Sequence, residues 1–431
     1  MTRSSTLRLK FVTSAPRKSE VRGLASDTQV SFVPMEAVSE HGELDLTRTR
    51  MIDDVVSGYT FFSDGDVLIA KITPCFENGK GALAEGLTNG IGFGTTELHV
   101  VRAGKHLLPK FLFYITLSHE FRKLGEGEMY GASGQKRIPE SFIRDYRQPI
   151  PTLEQQARIV DFLDREAVRI DELISKNQQL IELLGEQRFA IVFRLTTKGC
   201  DALAYKSAGR NWIGEVPVPW TVCRTKYVAK LRTGHTPSRE HPEYWVNCTI
   251  PWFSLADVWQ VRDGRTEYLG DTTEKISELG LANSAAELLP AGTVIVSRTA
   301  SVGFSGIMPV PMATTQDFVN WVCGPKIMPE YLLCVFRSMK NEFRRLTMGS
   351  THQTIYMPDV AEFVTPLPSV EEQKVIVAAI RQETRKIDLL TDLLKTQIDR
   401  LREYRSALIT AAVTGQIDLR NYRAQEVALC P

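Results

Sequence analysis

The chain has 431 residues, 43% hydrophobic and 24% charged, an ordinary globular composition that is too long for one core, so two to four domains are expected. Lys+Arg 52 against Asp+Glu 51 leaves a net charge of +1, which is no footprint of a strongly basic nucleic-acid binder; any phosphate-binding surface is a local patch balanced by acid elsewhere, or its basic charge comes from a partner. No run of about 18 apolar residues occurs and the N-terminus lacks a signal peptide's apolar stretch, so a cytoplasmic protein without a membrane span is expected.

Residues 1–148 read as a first mixed α/β domain. Gly, Pro, Thr and aromatic residues are frequent, and FFSDGDVLIAKI (61–72) alternates as a strand does. Its loops carry Lys/Arg and Ser/Thr, which suit phosphates, and Asn, Gln and Arg, which suit base edges. Glycines among them let the backbone come close. The candidate DNA contacts are Lys71, Thr73, Asn78, Lys80, Thr95, Thr96, Gln135, Lys136 and Arg137. For any one of them a solvated loop is an equal reading; the set carries the expectation.

From 149 to 199 the chain reads PIPTLEQQARIVDFL and onward as one long helix. The prolines impose an extended entry, Thr152 is placed to cap, and Glu154 brings acid to the first turn. A 4-3 spacing follows at Ile159, Leu163, Glu166, Ile170, Leu173, Asn177, Leu180, Leu184, Gln187 and Ile191, which predicts a coiled-coil seam.

Residues 200–211 read as a linker, and 212–365 as a second mixed domain with alternation in AELLPAGTVIVSRTA (286–300). Its candidate DNA contacts are Thr233, His235, Thr236, Ser238, Arg239, Arg298, Thr299, Thr315, Gln316, His352 and Gln353. At 366–420, PLPSVEEQKVIVAAI opens a second helix, with Ser369 as cap. Its seam reads Ile376, Ile380, Glu383, Ile387, Leu390, Leu394, Gln397, Leu401, Tyr404 and Leu408, and 421–431 is a tail. Helices of about 40–45 residues make rods of roughly 60–70 Å. Glu166 and Glu383 occupy the same seam position, and Asn177 and Gln397 also interrupt the row. Either the seam is partly solvated near a helix end, or these residues fix register or face a third protein.

The two helical regions are copies. At an offset of 217, Pro149 meets Pro366, Glu154 meets Glu371, Gln156 meets Gln373, Ile170-Asp171 meets Ile387-Asp388, and Arg188 meets Arg405. Roughly a third of about 49 positions agree, which marks an internal repeat. The globular regions align more loosely: DGDVLIAKI (64–72) with AGTVIVSRT (291–299), GTTELHVV (94–101) with ATTQDFVNW (313–321), LLPKFLFYI (107–115) with IMPEYLLCV (327–335), and SGQKRIP (133–139) with STHQTIYMP (350–358). SFVPMEAVSE has no counterpart in LRTGHTPSREHPEYW. The order is domain, rod, domain, rod.

Catalytic signatures are missing. No P-loop, no cofactor-binding Gly-rich turn and no N/D-P-P-Y/F-like loop occurs, and GFG at 92–94 and GEG at 125–127 stand isolated. Pro358-Asp359 followed by Glu372-Gln373-Lys374 mimics a metal-dependent nuclease signature, but the first copy has Glu154-Gln155-Gln156 there, which favours a helical entry. His235 and His241 lack a third ligand, and Asp53-Asp54 and Glu126/Glu128 read as solvated charge. Seven scattered cysteines form no C-x-x-C pair, so neither a disulfide framework nor structural zinc is expected. Tyr244-Trp245, Trp252-Phe253 and Trp259 read as core packing ahead of base stacking.

Three features resemble the specificity (S) subunit of type I restriction-modification systems, the HsdS family. They are the duplicated P-[IL]-P-x-x-E-x-Q entry before a long helix, the segment SDGDVLIAKITPCFENGKGALAEGLTNGIGFGTTELHVVR (63–102), and TGHTPS…EYW…IPWFSLADV (233–258). The resemblance covers essentially the whole chain. It implies an α+β protein in which two mixed α/β target-recognition domains are separated by two long antiparallel coiled-coil helices, with an internal pseudo-two-fold repeat. Each domain would read one half of a bipartite, asymmetric site in double-stranded DNA, the N-terminal domain the 5′ half. The helices would act as a spacer and dock two methyltransferase (M) subunits, with Ile159, Leu163, Glu166, Ile170, Leu173, Leu184, Ile376, Ile380, Glu383, Ile387, Leu390 and Leu401 as seam and docking residues. The chain itself would hold no cofactor: S-adenosylmethionine belongs to the adenine-N6 methyltransferase partner, and ATP and Mg to the restriction (R) partner. A rod of about 65 Å spans at most roughly 19 base pairs, so helix length would act as a ruler. The competing reading is a non-catalytic coiled-coil scaffold joining two ligand-binding domains, suggested by the near-zero net charge.

Overall fold

Each Pro-x-Pro entry ends a short strand and starts a long helix within a few residues. At the first entry Thr152 and Gln155 cap reciprocally: the Gln155 amide donates to Thr152 Oγ1 (3.3 Å) and the Thr152 amide to Gln155 Oε1 (3.0 Å). At the second, the Glu372 amide donates to Ser369 Oγ (3.2 Å). The structure is a computed structural model and describes residues 6–132, 134–201, 203–347, 353–419 and 422. It divides into two units, Met1–Asn177 with Thr396–Pro431, and Gln178–Lys395.

The first unit contains β1 (Thr6–Arg8), β2 (Thr13–Ser14), β3 (Gln29–Val33), β4 (Thr49–Met51), α1 (Ile52–Val55), β5 (Thr60–Ser63), β6 (Asp66–Ala70) and β7 (Gly81–Leu83). There follow β8 (Ile91–Gly94), β9 (Leu98–Ala103), α2 (Pro109–Leu117), α3 (His119–Glu128), α4 (Glu140–Asp145), β10 (Arg147–Pro149) and the start of α5 (Leu153–Lys198). Two four-stranded sheets form, in the orders β2-β9-β6-β7 and β4-β3-β8-β5, and β1 pairs with β10. Every residue of β6 is buried, as expected for a central strand covered on both faces. α2 starts with proline at its first position and packs Phe111, Leu112 and Ile115 into the core shared with Ile159 and Leu163 of α5.

The second unit repeats this plan. After β11 (Tyr205–Ser207), β12 (Glu215–Pro217) and β13 (Thr221–Arg224) come β14 (Ala229–Thr233), β15 (Ile250–Phe253), β16 (Glu274–Ile276), α6 (Glu278–Ala282), β17 (Val294–Ser297) and β18 (Ser305–Ile307). Then follow β19 (Ala313–Thr314), β20 (Phe318–Cys323), α7 (Pro329–Ser338), α8 (Lys340–Leu346), α9 (Met357–Ala361), β21 (Val364–Leu367) and α10 (Val370–Val413). The order β14-β20-β17-β18 reproduces β2-β9-β6-β7, and β13 pairs with β21 as β1 does with β10. β15 and β19 are parallel, as β3 and β8 are. The N-terminal parts therefore share a framework too. The counterpart of SFVPMEAV (31–38) is PWFSLADV (251–258), a strand followed by a 3₁₀ turn in both. The predicted linker at 200–211 holds β11, which forms a hairpin with β12.

The repeated glutamine explains the repeated phrase. Gln156 is fully buried; its Oε1 accepts from the Leu108 amide (2.8 Å), and its Nε2 donates to the carbonyls of His106 and Pro151 (both 2.9 Å). Gln373 makes the same three bonds, to the Met328 amide (2.8 Å) and the carbonyls of Lys326 (2.9 Å) and Pro368 (3.1 Å). One side chain thus ties the helix entry to the turn between the last sheet strand and the next helix. Only a neutral amide supplies both an acceptor and two donors there.

Segments of both long helices close each unit, and they run antiparallel. In the second unit Arg188 pairs with Asp388 (3.0 Å) and Arg194 with Glu383 (2.8 Å). In the first, Arg405 pairs with Asp171 (2.9 Å), and Ile409, Ala412 and Val413 enter the core of Ile159 and Leu163. One row of the seam departs from expectation by a single residue in both copies. Ile380 and Ile387 are buried as predicted, but their partners in the row are Thr384, Thr391 and Ile398, while Glu383, Leu390 and Gln397 are exposed and Tyr404 faces outward. In the first copy Ile159, Leu163, Ile170 and Leu184 are buried, and Ala167, Ile174 and Ile181 take the places expected of Glu166, Leu173 and Leu180. Leu173 and Leu180 are exposed, Glu166 is half-buried beside Arg169, and Leu401 is half-buried. Apolar residues stand at adjacent positions in the first copy (Leu173-Ile174, Leu180-Ile181), and in the second Leu390 adjoins the buried Thr391, so periodicity alone does not choose between rows. Ile387→Ala is expected to cost about 2–4 kcal/mol, whereas Leu390→Ala should stay within about 0.5 kcal/mol. Urea unfolding followed by Trp fluorescence checks this, because all six tryptophans lie between 212 and 321 in the second unit.

Candidate nucleic-acid interface

In the first unit three loops are laced together at the end of β6. The Lys71 amide donates to the Glu97 carbonyl (3.0 Å), the Ile138 amide to the Lys71 carbonyl (2.8 Å), and the Thr73 amide to the Lys136 carbonyl (3.0 Å). Thr73 Oγ1 donates to the Gly134 carbonyl (2.8 Å) and accepts from the Lys136 amide (2.9 Å). The candidates Lys71, Thr73, Thr95, Thr96, Gln135, Lys136 and Arg137 therefore share one patch.

The second unit uses the same backbone bonds. The Arg298 amide donates to the Asp317 carbonyl (2.8 Å), the Ile355 amide to the Arg298 carbonyl (2.9 Å), and the Ala300 amide to the Gln353 carbonyl (2.8 Å). Lys71 thus corresponds to Arg298, Thr73 to Ala300, Thr96 to Gln316 and Lys136 to Gln353. A further loop joins this patch: the His235 amide donates to the Thr314 carbonyl (3.0 Å), and Thr236 Oγ1 to Gln316 Oε1 (2.7 Å). Gly234 is required for that approach, since a Cβ there would collide with Thr314 and Thr315.

Several candidates are already engaged within the protein. Arg137 makes a bidentate pair with Glu97 (both 2.9 Å), which holds the Glu97 carboxyl below its ordinary range. Lys80 donates to the Met35 carbonyl (3.3 Å), and Thr315, buried, donates to Asp317 (2.9 Å). Arg239 pairs with Glu274 (2.6 Å) and lies 3.7 Å over the Trp245 ring, and Ser238 Oγ accepts from the Glu240 amide. Arg298 uses only Nε, on the Gln316 carbonyl (3.1 Å). Among the described residues, the side chains of Asn78, Thr96, Gln135, Lys136, Thr233, His235, Thr299 and Gln353 have no protein partner and are the freest to meet a ligand. His352 lies outside the described residues.

Sequence reasoning missed what holds the first patch. Arg122 of α3 is buried and donates to three carbonyls: Thr116 and Phe76 (both 2.6 Å) and Gly79 (2.8 Å). Among the described residues no carboxylate forms an ion pair with it, and Glu126 acts on it only through space. Burial pushes its pKa down to about 10, which still leaves it charged at neutral pH. It clamps the 71–80 loop from below, where Gly79 turns with φ +86°. The signal available in sequence was weak: a lone arginine on an amphipathic helix usually faces solvent. Beside the patch, Lys71 lines a cavity of about 570 Å³ with Lys10, Lys18, His99 and Arg144. His99 bonds the Ile138 carbonyl (2.9 Å), and burial lowers its pKa.

The residues weighed for other chemistry have structural places. Glu372 accepts from Trp220 Nε1 (2.9 Å) and Gln373 is the clamp described above, so both have structural places apart from any nuclease-like chemistry. Among the described residues, no group of three or more His, Cys, Asp or Glu is placed to hold a metal. Trp252 and Phe253 are buried as expected, but Trp259 is 68% exposed, because the 3₁₀ turn 255–261 turns Val258 and Val261 inward instead.

Comparison with known proteins agrees with this framework. The family model described as "Type I restriction modification DNA specificity domain" matches residues 56–183 and 217–400. The type I restriction enzyme EcoAI specificity subunit of Escherichia coli is 40% identical over 170 residues, which is 37% of this chain and 28% of that protein. The chain thus spans little more than a quarter of the length of that relative. The putative type I restriction enzyme MjaX specificity subunit of Methanocaldococcus jannaschii is 22% identical over 395 residues, 90% of this chain and 87% of its own. A chain solved in a study of complex assembly and conformational transition of the type I R-M system superposes with a TM-score of 0.71 at 19% identity, covering 96% of this chain and 98% of that one.

Proposed function

The chain belongs to the type I restriction-modification DNA specificity family, and from that premise we propose that it selects the DNA site of a complex whose chemistry is carried by other subunits. Each of its two domains reads one half of a bipartite, asymmetric sequence. The observation that carries this reading is the pair of matched patches. Their backbone bonds are equivalent, while the side chains presented differ: Lys71 against Arg298, Thr96 against Gln316, Lys136 against Gln353. Equal scaffolds with unequal donors and acceptors suit two unlike half-sites in the major groove.

The long helices space the domains and dock two methyltransferase subunits. Leu173 and Leu390, equivalent in the repeat, support this: both are apolar, lie off the seam and are exposed. S-adenosylmethionine is then held by those partners and ATP with Mg by a restriction subunit, all in the cytoplasm.

The test is co-expression with the cognate methyltransferase in a host without adenine methylation, followed by genome-wide mapping of methylated adenines. A split asymmetric motif, absent without this chain, is the expected result. Exchange of residues 1–148 for a divergent homologue's domain should change one half of the motif only. A complex that forms but shows no salt-dependent DNA affinity would instead identify a scaffold.

A further inference from the structure

The two domains differ where DNA would be read, so any exposed feature they keep in common answers to something both domains meet alike. One such feature is built outside the loops of the patches and outside the long helices, with Lys10 bordering the cavity beside the first patch. Arg8-Leu9-Lys10-Phe11-Val12 and Arg224-Thr225-Lys226-Tyr227-Val228 occupy the same 3₁₀ turn, after β1 and after β13. The turn is anchored identically: the Leu9 amide donates to the Tyr146 carbonyl (3.0 Å), and the Thr225 amide to the Phe363 carbonyl (2.8 Å). Leu9 and Val12, and likewise Thr225 and Val228, are buried and supply what the core needs. Phe11 and Tyr227 do not: each is 70% exposed.

Charge around the two rings is also kept. Lys10 and Arg8 pair with Asp145 (2.7 and 3.3 Å), and Arg224 and Lys226 pair with Glu362 (2.6 and 4.0 Å). Asp145 and Glu362 are equivalent in the repeat. An exposed aromatic ring with a charged rim has the anatomy of an interface anchor. Base readers would have diverged with the half-sites, and fold requirements are met by the neighbours. What stays constant between the domains is an identical partner, present once per domain.

We propose that Phe11 and Tyr227 are paired docking knobs, one on each domain, for two copies of the same methyltransferase subunit. Each ring enters an apolar socket on the partner, and the flanking cation–carboxylate cluster meets a polar rim. This rests on the reading that the chain docks two such subunits, and adds to the helices a second attachment on each domain.

The experiment uses the full chain with its cognate methyltransferase. Wild type, Phe11→Ser, Tyr227→Ser, the double variant and a Leu173→Ser/Leu390→Ser comparator are titrated, with stoichiometry read by native mass spectrometry. Because both rings are exposed, thermal melts of the variants should match wild type. Wild type is expected to bind two subunits. Each single variant should weaken one site by about tenfold or more, leaving one subunit bound near the wild-type Kd, and the double variant should weaken both. A double variant that binds two subunits within about twofold of wild-type affinity overturns the proposal, whatever the helix comparator does. One that assembles normally but loses DNA affinity overturns it as well, by assigning the rings to DNA. Wild type binding no methyltransferase would remove the docking reading itself, before any variant is compared.

Discussion

Gln373→Ala is expected to unfold the second unit at much lower denaturant, by about 3–6 kcal/mol. The substitution strands the part-buried Met328 amide and the carbonyls of Lys326 and Pro368, each roughly 1–3 kcal/mol when left without a partner. That is a large part of the total stability of a typical domain, about 5–15 kcal/mol. Trp fluorescence reports the loss directly, since every tryptophan lies in the second unit. Gln156→Ala should do the same to the first unit, visible in far-UV circular dichroism with the fluorescence transition left in place. Gln373→Glu separates hydrogen bonding from size. Its carboxylate keeps the acceptor for Met328 but faces two carbonyls without a proton. The neutral acid donates to one of them, so its folded-state pKa is raised above the unfolded value. Stability is then present below the unfolded pKa and lost as pH rises through the folded one. Recovery on acidification confirms the clamp; a variant as stable as wild type at neutral pH rejects it.

Arg122→Met carries the second large effect, and it joins stability to DNA reading. The side chain keeps its bulk, but the carbonyls of Thr116, Phe76 and Gly79 lose their donors, a destabilisation of roughly 3–5 kcal/mol in the first unit. The 71–80 loop loses its fastening and with it the placement of Lys71 and Thr73. On the proposed bipartite reading, the complex is expected to lose about a hundredfold or more of its activity at the native site in the methylation assay, since both halves would be needed. The second unit fastens its loop differently: Phe343, the counterpart of Phe121, packs under Gly303, so Phe343→Leu should leave the first half-site untouched. An Arg122→Met protein with native methylation and native stability would show that the three bonds are not what holds the loop.

Much of the architecture was legible without coordinates. Two helix entries at Pro149 and Pro366, a 4-3 apolar rhythm over four to five heptads, and an offset of 217 announce a repeated domain-and-rod plan, because helical periodicity and proline sterics are local properties. Local aligned strings also marked most of the loops that the fold gathers into patches, such as 71–73 with 298–300 and 135–137 with 353. The match between SFVPMEAV and PWFSLADV was harder to see, since two shared strand–turn geometries are written in different side chains.

Other features depended on distant partners. Whether Leu390 or Thr391 faces the seam is decided by what the opposing helix presents, and both choices satisfy the same spacing. Gln156 meets a turn 48 residues upstream, and Arg122 meets Phe76 and Gly79 more than 40 residues away. Trp259 and Phe11 look like core residues by type, yet shorter neighbours in the same 3₁₀ turns fill the interior and leave the rings outside. The sequence by itself determined the elements, their duplication and the family, because these follow from short-range sterics and pattern. Only the tertiary structure decided which polar groups are consumed by the protein and which remain for a ligand, because a buried donor's partner is chosen by chain segments that meet only on folding.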